Sequence, residues 1–129
     1  MPKYLGIDYG EKRIGLATAR DYASAEAIKT VSSLEEVLVF INEQGPFESV
    51  VMGLPRGMEG DDTHQTVKVR AAAGELSDQL GFEVEFADEF DTSNIAKMRL
   101  LDSGRVFKQE DIDAEAAAII LDDFLVGHE

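Results

Sequence analysis

The 129-residue sequence contains no cysteine and no tryptophan, and only two histidines and three prolines. The absence of cysteine excludes disulfide bonds, thiolate zinc sites and cysteine nucleophiles. Because His64 and His128 lie far apart along the chain, the sequence also lacks the nitrogen ligands that a zinc site needs. A metal site in this protein therefore has to be built from oxygen ligands.

Long apolar runs are missing as well, and no uninterrupted stretch has the length that a membrane-spanning helix requires. The first ten residues, MPKYLGIDYG, contain one basic residue and lack the apolar centre of a signal peptide. No internal repeat and no linker rich in proline or serine divides the chain. We therefore expect a cytoplasmic protein with a single domain spanning residues 1–129 and no membrane partner.

Positive charge is scarce, because 12 lysines and arginines stand against 26 aspartates and glutamates, for a net charge of −14. Such a balance argues modestly against a nucleic-acid partner, since phosphate contacts supply most of the affinity of nucleic-acid-binding proteins. The charge is uneven, however. Residues 97–108 contain four basic residues and one acid, whereas residues 109–129 contain seven acids and no lysine or arginine. A solvated helix face explains most of that acidic end.

Apolar patterning predicts five strands and four helices in the order β-β-β-α-β-α-β-α-α. The strands are predicted at residues 4–8, 14–20, 25–31, 48–55 and 82–89. The helices are predicted between Ser32 or Ser33 and Gly45, from about 62 to 80, between Thr92 or Ser93 and Gly104, and from about 112 to 125. A meander followed by strand–helix alternation predicts the α/β class, with a mixed five-stranded sheet of three antiparallel and then two parallel strands, and helices on both faces.

The segment LGIDYGEKRIGLA, residues 5–17, places Asp8 at the end of a short apolar run that should be the central strand. A turn residue without function would explain this acid, but functional groups collect at the carboxyl ends of parallel strands in open α/β sheets. Asp88 and Glu89 close the predicted fifth strand, which should run parallel to the first. One of these two acids should therefore reach the same edge, while the other can simply favour the N-terminus of the next helix.

Asp113 lies in the segment DIDAEAAAIILDDFL, where helical spacing aligns it with Ala117, Ile120 and Phe124 on a largely apolar face. A carboxylate buried there without a partner would be costly. The neighbouring alanines are small and should let this helix approach the sheet closely. A favourable charge in the first helical turn is the alternative explanation, but Asp111 suits that role better.

Three acids from three separate elements can thus converge at one edge of the sheet. Clustered carboxylates repel one another unless a cation lies among them, and oxygen ligands without histidine or cysteine suit Mg²⁺ or Mn²⁺. Two such ions roughly 4 Å apart would activate a water molecule and stabilise the leaving oxygen of a phosphodiester. The residues alone therefore indicate a metal site at the end of the first strand.

Four segments together resemble the YqgF/RuvX family, small bacterial proteins related to Holliday junction resolvases and built on the RNase H-like fold. The segments are LGIDYGEKRIGLA, VVMGLPRGMEG, ADEFDTSNIAKMRLLDSG and DIDAEAAAIILDDFL, and they span nearly the whole chain. The resemblance implies a hydrolase, a metal-dependent nuclease that takes part in processing the 5′ end of pre-16S rRNA during ribosome biogenesis. It also implies that Asp8, Glu89 and Asp113 are the catalytic residues and the ligands of Mg²⁺ or Mn²⁺.

The sequence departs from the family pattern after the fifth strand, where Phe90 and Asp91 replace the usual arginine and leucine. A basic residue beside the site is lost and an acid is gained, while the three carboxylates are retained. Basic residues remain as candidates for contacts to a nucleic-acid substrate, foremost Lys12, Arg13, Arg56 and Arg99, with Arg105 and Lys108 as further candidates.

The resemblance implies structured RNA or branched DNA as the partner, in association with the ribosome or its precursor, and a monomer or a weak homodimer. A DNA nuclease similar to Holliday junction resolvases is one alternative. A non-catalytic module that binds nucleic acid or the ribosome and keeps its acids as relics is another, and the net charge favours it. A phosphotransferase of the sugar-kinase and actin class shares the Gly-Ile-Asp-x-Gly segment, but it needs two such domains and a second nucleotide motif.

Overall fold

A computed structural model describes residues 2–21, 23–57, 59–89 and 92–127 of the chain. Its elements follow the predicted order. The strands are β1 (Lys3–Tyr9), β2 (Ile14–Arg20), β3 (Glu26–Val31), β4 (Ser49–Pro55) and β5 (Glu85–Glu89). The helices are α1 (Leu34–Gln44), α2 (His64–Leu80), α3 (Thr92–Asp102) and α4 (Gln109–Val126). Within the described residues, no helix has both the length and the apolar composition needed to cross a membrane.

The five strands form one mixed sheet in the order β3-β2-β1-β4-β5. β1 pairs antiparallel with β2, and β2 with β3, whereas β1–β4 and β4–β5 are parallel. The predicted topology of three antiparallel and two parallel strands is confirmed. The parallel register places Ile7 beside Met52 and Pro55 beside Glu89. The carboxyl ends of β1, β4 and β5 therefore lie at the same edge of the sheet.

Helices cover both faces of the sheet, as predicted. On one face, apolar side chains of β1, β2 and β4 pack against α1 and α2, and this core includes Leu5 and Ile7. On the other face, α4 packs directly against the sheet through Ile120, Leu121 and neighbouring residues, and α3 packs on α4. Side chains alternate along a strand, so Asp8 lies on the α4 face.

The helix boundaries differ from the predictions at two places. α4 begins at Gln109 rather than near residue 112, because the Asp111 carboxylate accepts a hydrogen bond of 2.8 Å from the backbone N–H of Lys108 and so closes the first turn. Asp111 therefore has the first-turn role, and Asp113 lies in the second turn. α3 begins at Thr92 itself, so this residue is not a cap preceding the helix. The two departures from the family pattern, Phe90 and Asp91, lie outside the described residues.

Helix α3 packs against α4 through only a few of its described side chains. Ala96 and Leu100 are buried against α4. The three larger apolar residues of this helix, Ile95, Met98 and Leu101, are exposed by 42%, 64% and 58%. These three residues therefore do not form the buried side of α3, which consists of Ala96 and Leu100 instead.

The close crossing of α4 over β1 predicts opposite effects for two glycine substitutions. A Cβ on Gly6 would lie 2.7 Å from both the Ala117 carbonyl oxygen and the Leu121 Cβ, whereas a Cβ on Gly74 would have no neighbour within 4 Å. We expect Gly6→Ala to lower the free energy of unfolding by about 2 kcal/mol through overpacking. Gly74→Ala, the matched control inside α2, should raise it by about 0.5–1 kcal/mol through helix propensity. Urea denaturation measures both values, and equal stabilities would contradict the close crossing.

Candidate active site

Two glycines flank Asp8 in the sheet and allow other groups to approach the sheet closely on the α4 face. Gly15 is the partner of Asp8 on β2, and Gly53 follows Met52, the β4 partner of Ile7. A Cβ on Gly15 would overlap the backbone carbonyl of Asp113, and a Cβ on Gly53 would lie 2.9 Å from Glu89 Oε2. Helix α4 therefore lies over both neighbours of Asp8, with the Asp113 backbone above Gly15 and the Ile120 side chain above Gly53, and the Glu89 carboxylate also approaches Gly53.

The register of β5 separates the two acids at its end. Asp88 pairs with Leu54 and Glu89 with Pro55, so their side chains lie on opposite faces of the sheet. Asp88 is exposed and accepts a hydrogen bond of 3.2 Å from Arg56 Nε. Glu89 is half-buried, and the Thr92 side chain hydrogen-bonds to it. Glu89, and not Asp88, thus shares the α4 face with Asp8.

Both carboxylate oxygens of Asp113 are engaged. Arg13 Nε donates to Oδ2 at 2.7 Å, and Gln109 Nε2, one helical turn earlier, donates to Oδ1 at 3.1 Å. The Asp113 side chain is 16% exposed and that of Arg13 is 33% exposed. The ion pair therefore lies at the rim of the site, with the carboxylate more shielded than the guanidinium.

The electrostatics connect these acids to Asp8. Burial, together with the negative charges of Glu89 and Asp113, raises the pKa of Asp8 from 3.8 to about 8. Burial also raises the pKa of Glu89, while its hydrogen bond with Thr92 opposes that shift. Asp8 therefore lies within electrostatic range of both other acids, and the three are called the acid cluster below. Their catalytic and metal-binding roles remain predictions.

The acid cluster fits a divalent cation by its chemistry rather than by a preformed cage. Within the described ranges, no three histidine, aspartate or glutamate side chains already surround a point that could hold a metal ion. The donor set nevertheless consists of carboxylate oxygens, which Mg²⁺ and Mn²⁺ prefer. A bound cation would also remove the repulsion that raises the pKa of Asp8. The residues present therefore fit such an ion, provided that Asp113 exchanges a hydrogen-bond partner for it.

The structure gives different partners to the four basic residues considered foremost as substrate contacts. Arg13 contacts it directly. Lys12 is an exposed residue of the β1–β2 turn beside Glu11. Arg56 is held by ion pairs with Asp62 and Asp88. Arg99 Nη1 lies 3.5 Å from Oε1 of Glu115, a residue of α4. Contacts of these residues with a substrate remain predictions.

Sequence reasoning missed Thr92 and Gln109 as residues that orient the acids. Thr92 or Ser93 was expected to cap α3, whereas the Thr92 side chain is hydrogen-bonded to Glu89. The spacing of four residues between Gln109 and Asp113 is a usable signal, because such pairs face each other on a helix. The roles of Gly15 and Gly53 also escaped notice, since their effect depends on which strands are neighbours.

Comparison with known proteins gives consistent matches over the whole chain. The family model described as "RuvX: Holliday junction resolvase" matches residues 2–127. A Shewanella oneidensis protein named "Putative pre-16S rRNA nuclease" is 31% identical over 133 residues, covering 96% of this chain and 94% of that protein. A Lactococcus lactis protein of the same name is 31% identical over 137 residues, covering 98% and 95%.

The fold also matches solved structures. Thermus thermophilus RuvC in complex with a Holliday junction substrate superposes with a TM-score of 0.63 at 17% sequence identity, covering 99% of this chain and 96% of that one. Another Thermus thermophilus RuvC structure gives a TM-score of 0.60 at 16% identity. At such low identity these matches show a shared fold, the RNase H-like arrangement that the sequence predicts.

The raised pKa of Asp8 predicts how the stability of the metal-free protein depends on pH. Between pH 4 and 8 the folded protein holds a proton that the unfolded chain releases, so the free energy of unfolding falls as the pH rises. Asp8→Asn removes this penalty. In EDTA at pH 8 the variant should be more stable than the wild type by at least about 1.4 kcal/mol, the equivalent of one pKa unit, and the difference should vanish near pH 4.

Urea denaturation across this pH range measures the effect. Asp88→Asn is the control, because it removes an exposed carboxylate from the opposite face of the sheet. If the wild type and Asp8→Asn lose stability in parallel as the pH rises, Asp8 does not carry the charge penalty.

Proposed function

This chain belongs to the RuvX family, and we propose that it is a nuclease that depends on divalent metal ions bound by Asp8, Glu89 and Asp113. Family membership and the named relatives make it a hydrolase of the nuclease class. We further propose that it acts on structured RNA and processes the 5′ end of pre-16S rRNA, as the names of its relatives suggest. A role in ribosome maturation implies the cytoplasm as the place of action.

The observation that carries this proposal is the environment of Asp8. Its carboxyl group ends the central strand, and two glycines beside it allow α4 and the Glu89 carboxylate to approach the sheet closely. Burial and the charges of Glu89 and Asp113 make ionised Asp8 unfavourable in the metal-free protein. A fold rarely keeps such a group for stability alone, and strongly perturbed carboxyl groups are typical of functional sites.

The residues of the site would have two kinds of role, metal binding and the orientation of the metal ligands. The three carboxylates would hold the ions, which supply a polarised water nucleophile and charge stabilisation for the leaving oxygen of the phosphodiester. The Thr92 side chain fixes the orientation of Glu89, and Gln109 does the same for Asp113. Such outer contacts keep metal ligands in place and set their basicity.

Binding of a polyanion by a chain of net charge −14 requires local sources of positive charge. The bound ions would neutralise the acid cluster itself. Lys12 and Arg13 lie in the turn that joins the two central strands, and they are the proposed contacts to phosphates next to the scissile one. Arg56 and Arg99 would contact more distant phosphates after leaving their present acidic partners.

A second candidate substrate is a branched DNA, since the matching family model is described as a Holliday junction resolvase. The same acid cluster would cleave either nucleic acid by the same chemistry. Assays on an rRNA precursor fragment and on a four-way DNA junction, under identical metal conditions, separate the two. A protein that binds one of them without cleaving it would favour the non-catalytic alternative.

Amide substitutions of the acid cluster test the proposed mechanism. We expect Asp8→Asn, Glu89→Gln and Asp113→Asn each to reduce cleavage of a labelled precursor 16S rRNA fragment by at least about a hundred-fold, because each removes a metal ligand. EDTA should abolish the wild-type activity, and added Mg²⁺ or Mn²⁺ should restore it.

Asp88→Asn is the matched control, since it changes the neighbouring carboxylate on the other face of β5. Its cleavage rate should remain close to that of the wild type. Wild-type rates in all three amide variants would reject the proposed site, and a loss confined to Asp88→Asn would move the site to the opposite face.

A further inference from the structure

We propose that Arg13 and a divalent cation compete for Asp113, and that metal binding frees the Arg13 guanidinium to contact a phosphate of the substrate. This inference rests on the proposed metal dependence of the nuclease. It adds that Arg13 is bonded to Asp113, a proposed metal ligand, when no metal is bound. When metal is bound, the same Arg13 side chain binds the substrate. Metal binding and nucleic-acid binding would then be coupled through Arg13.

The contact between Arg13 and Asp113 joins elements that are distant in sequence. Arg13 directly precedes β2, Asp113 lies in the second turn of α4, and Nε and Oδ2 are 2.7 Å apart. With Gln109 on Oδ1, both oxygens of Asp113 already accept a hydrogen bond. A metal ligand has to present an oxygen lone pair to the ion, so the present bonding of Asp113 conflicts with ligation.

Of the two partners of Asp113, Arg13 is the one that has to leave. Gln109 is neutral and can remain beside a cation, whereas a guanidinium and a divalent ion on the same carboxylate repel each other. The ion carries twice the charge of the guanidinium and would interact with Asp8 and Glu89 as well as Asp113.

Arg13 is well placed to change partners without a change of fold. The Gly10 N–H bonds to the Arg13 carbonyl at 3.0 Å and closes the turn, so the backbone at this position is held. The side chain is one-third exposed and can rotate at the rim of the site. A guanidinium has five N–H donors in a planar fork that suits phosphate oxygens. A short side-chain movement would therefore turn the arginine from the carboxylate to a phosphate.

The arrangement also explains how an acidic protein avoids binding nucleic acid without metal. In the metal-free state the acid cluster repels phosphate, and the nearest guanidinium is occupied by Asp113. Once an ion is bound, the same location carries added positive charge and a released arginine. Because coupling between two ligands is reciprocal, substrate should tighten metal binding to the same extent as metal tightens substrate binding.

An NMR titration of the wild-type protein with Mg²⁺ tests the exchange directly. The Arg13 Nε–H resonance, identified by its absence in Arg13→Gln, should shift with the same midpoint as the backbone amide of Asp8. At saturation it should approach the position that it has in Asp113→Asn. An Arg13 signal that does not move while the Asp8 amide titrates overturns the competition. If neither signal moves, the proposed metal site fails as well.

Calorimetric titration with Mn²⁺ gives the matching affinity measurement. Arg13→Gln should bind Mn²⁺ about ten-fold more tightly than the wild type, because the competing charge-assisted bond is gone. Arg70→Gln is the matched control, since it removes an arginine whose nearest carboxylate, at 3.6 Å, is Asp62 in the segment before α2. An equal gain in Mn²⁺ affinity in both variants would show that the change in net charge causes it, and would contradict the competition.

Fluorescence anisotropy with a labelled RNA hairpin tests the second role of Arg13. Wild-type protein should bind the RNA several-fold more tightly in Ca²⁺ than in EDTA, with a gel to confirm that the RNA stays intact. Arg13→Gln should lose most of that gain, while Arg70→Gln keeps it. If Arg13→Gln gains as much as the wild type, the freed guanidinium does not contact the RNA and the proposed coupling is wrong.

Discussion

The burial of Asp8 beside the negative charges of Glu89 and Asp113 is the constraint on which the site depends. Its desolvation and the charges of the two other acids hold the pKa of Asp8 well above its usual range. The metal-free fold limits this cost by placing Arg13 against one acid and Thr92 against another. Despite those contacts the pKa of Asp8 remains raised, and a cation bound as proposed above would lower it.

Small residues make the cluster possible, because they set the distance between α4 and the sheet. Gly6 and Gly15 lie under the helix where any side chain would collide with its backbone. Ala17 on β2 packs against Ala117 and Ala118 in the same region. Interior packing leaves little room for adjustment, so a larger residue at these positions would displace Asp113 from Asp8. The larger apolar core lies on the opposite face of the sheet, under α1 and α2. It therefore stabilises the fold on the side of the sheet that does not carry the acid cluster.

The sequence predicted the fold well because its signals were local. Apolar runs predicted the strands, and the positions of Asp8, Asp88 and Glu89 at the ends of two of these runs predicted where the acids lie in the sheet. The choice between Asp88 and Glu89 could not be made from the residues, since it depends on the register of β5 against β4. Only the family resemblance selected Glu89 in advance. The start of α4 was misjudged because lysine is not a usual cap, although Asp111 closes the turn from inside the helix.

Contacts across long sequence separations could not be predicted in the same way. Arg13 and Asp113 are 100 residues apart in sequence. No spacing rule relates a turn between two strands near the start of the chain to the last helix along it. The exposed apolar residues of α3 illustrate the same point, because this helix packs on α4 through Ala96 and Leu100 while most of its larger apolar side chains remain exposed. Sequence thus located the candidate ligands, whereas only the folded chain revealed which charges they meet.

The most direct test of the metal site is a crystal structure of the protein soaked in Mn²⁺ and measured at a wavelength with strong anomalous scattering from manganese. The account predicts an anomalous peak within about 2.0–2.4 Å of a carboxylate oxygen of Asp8, shared with Glu89 or Asp113. Manganese found only elsewhere, or none despite an open site in the lattice, would contradict the claim that these carboxylates form a metal centre.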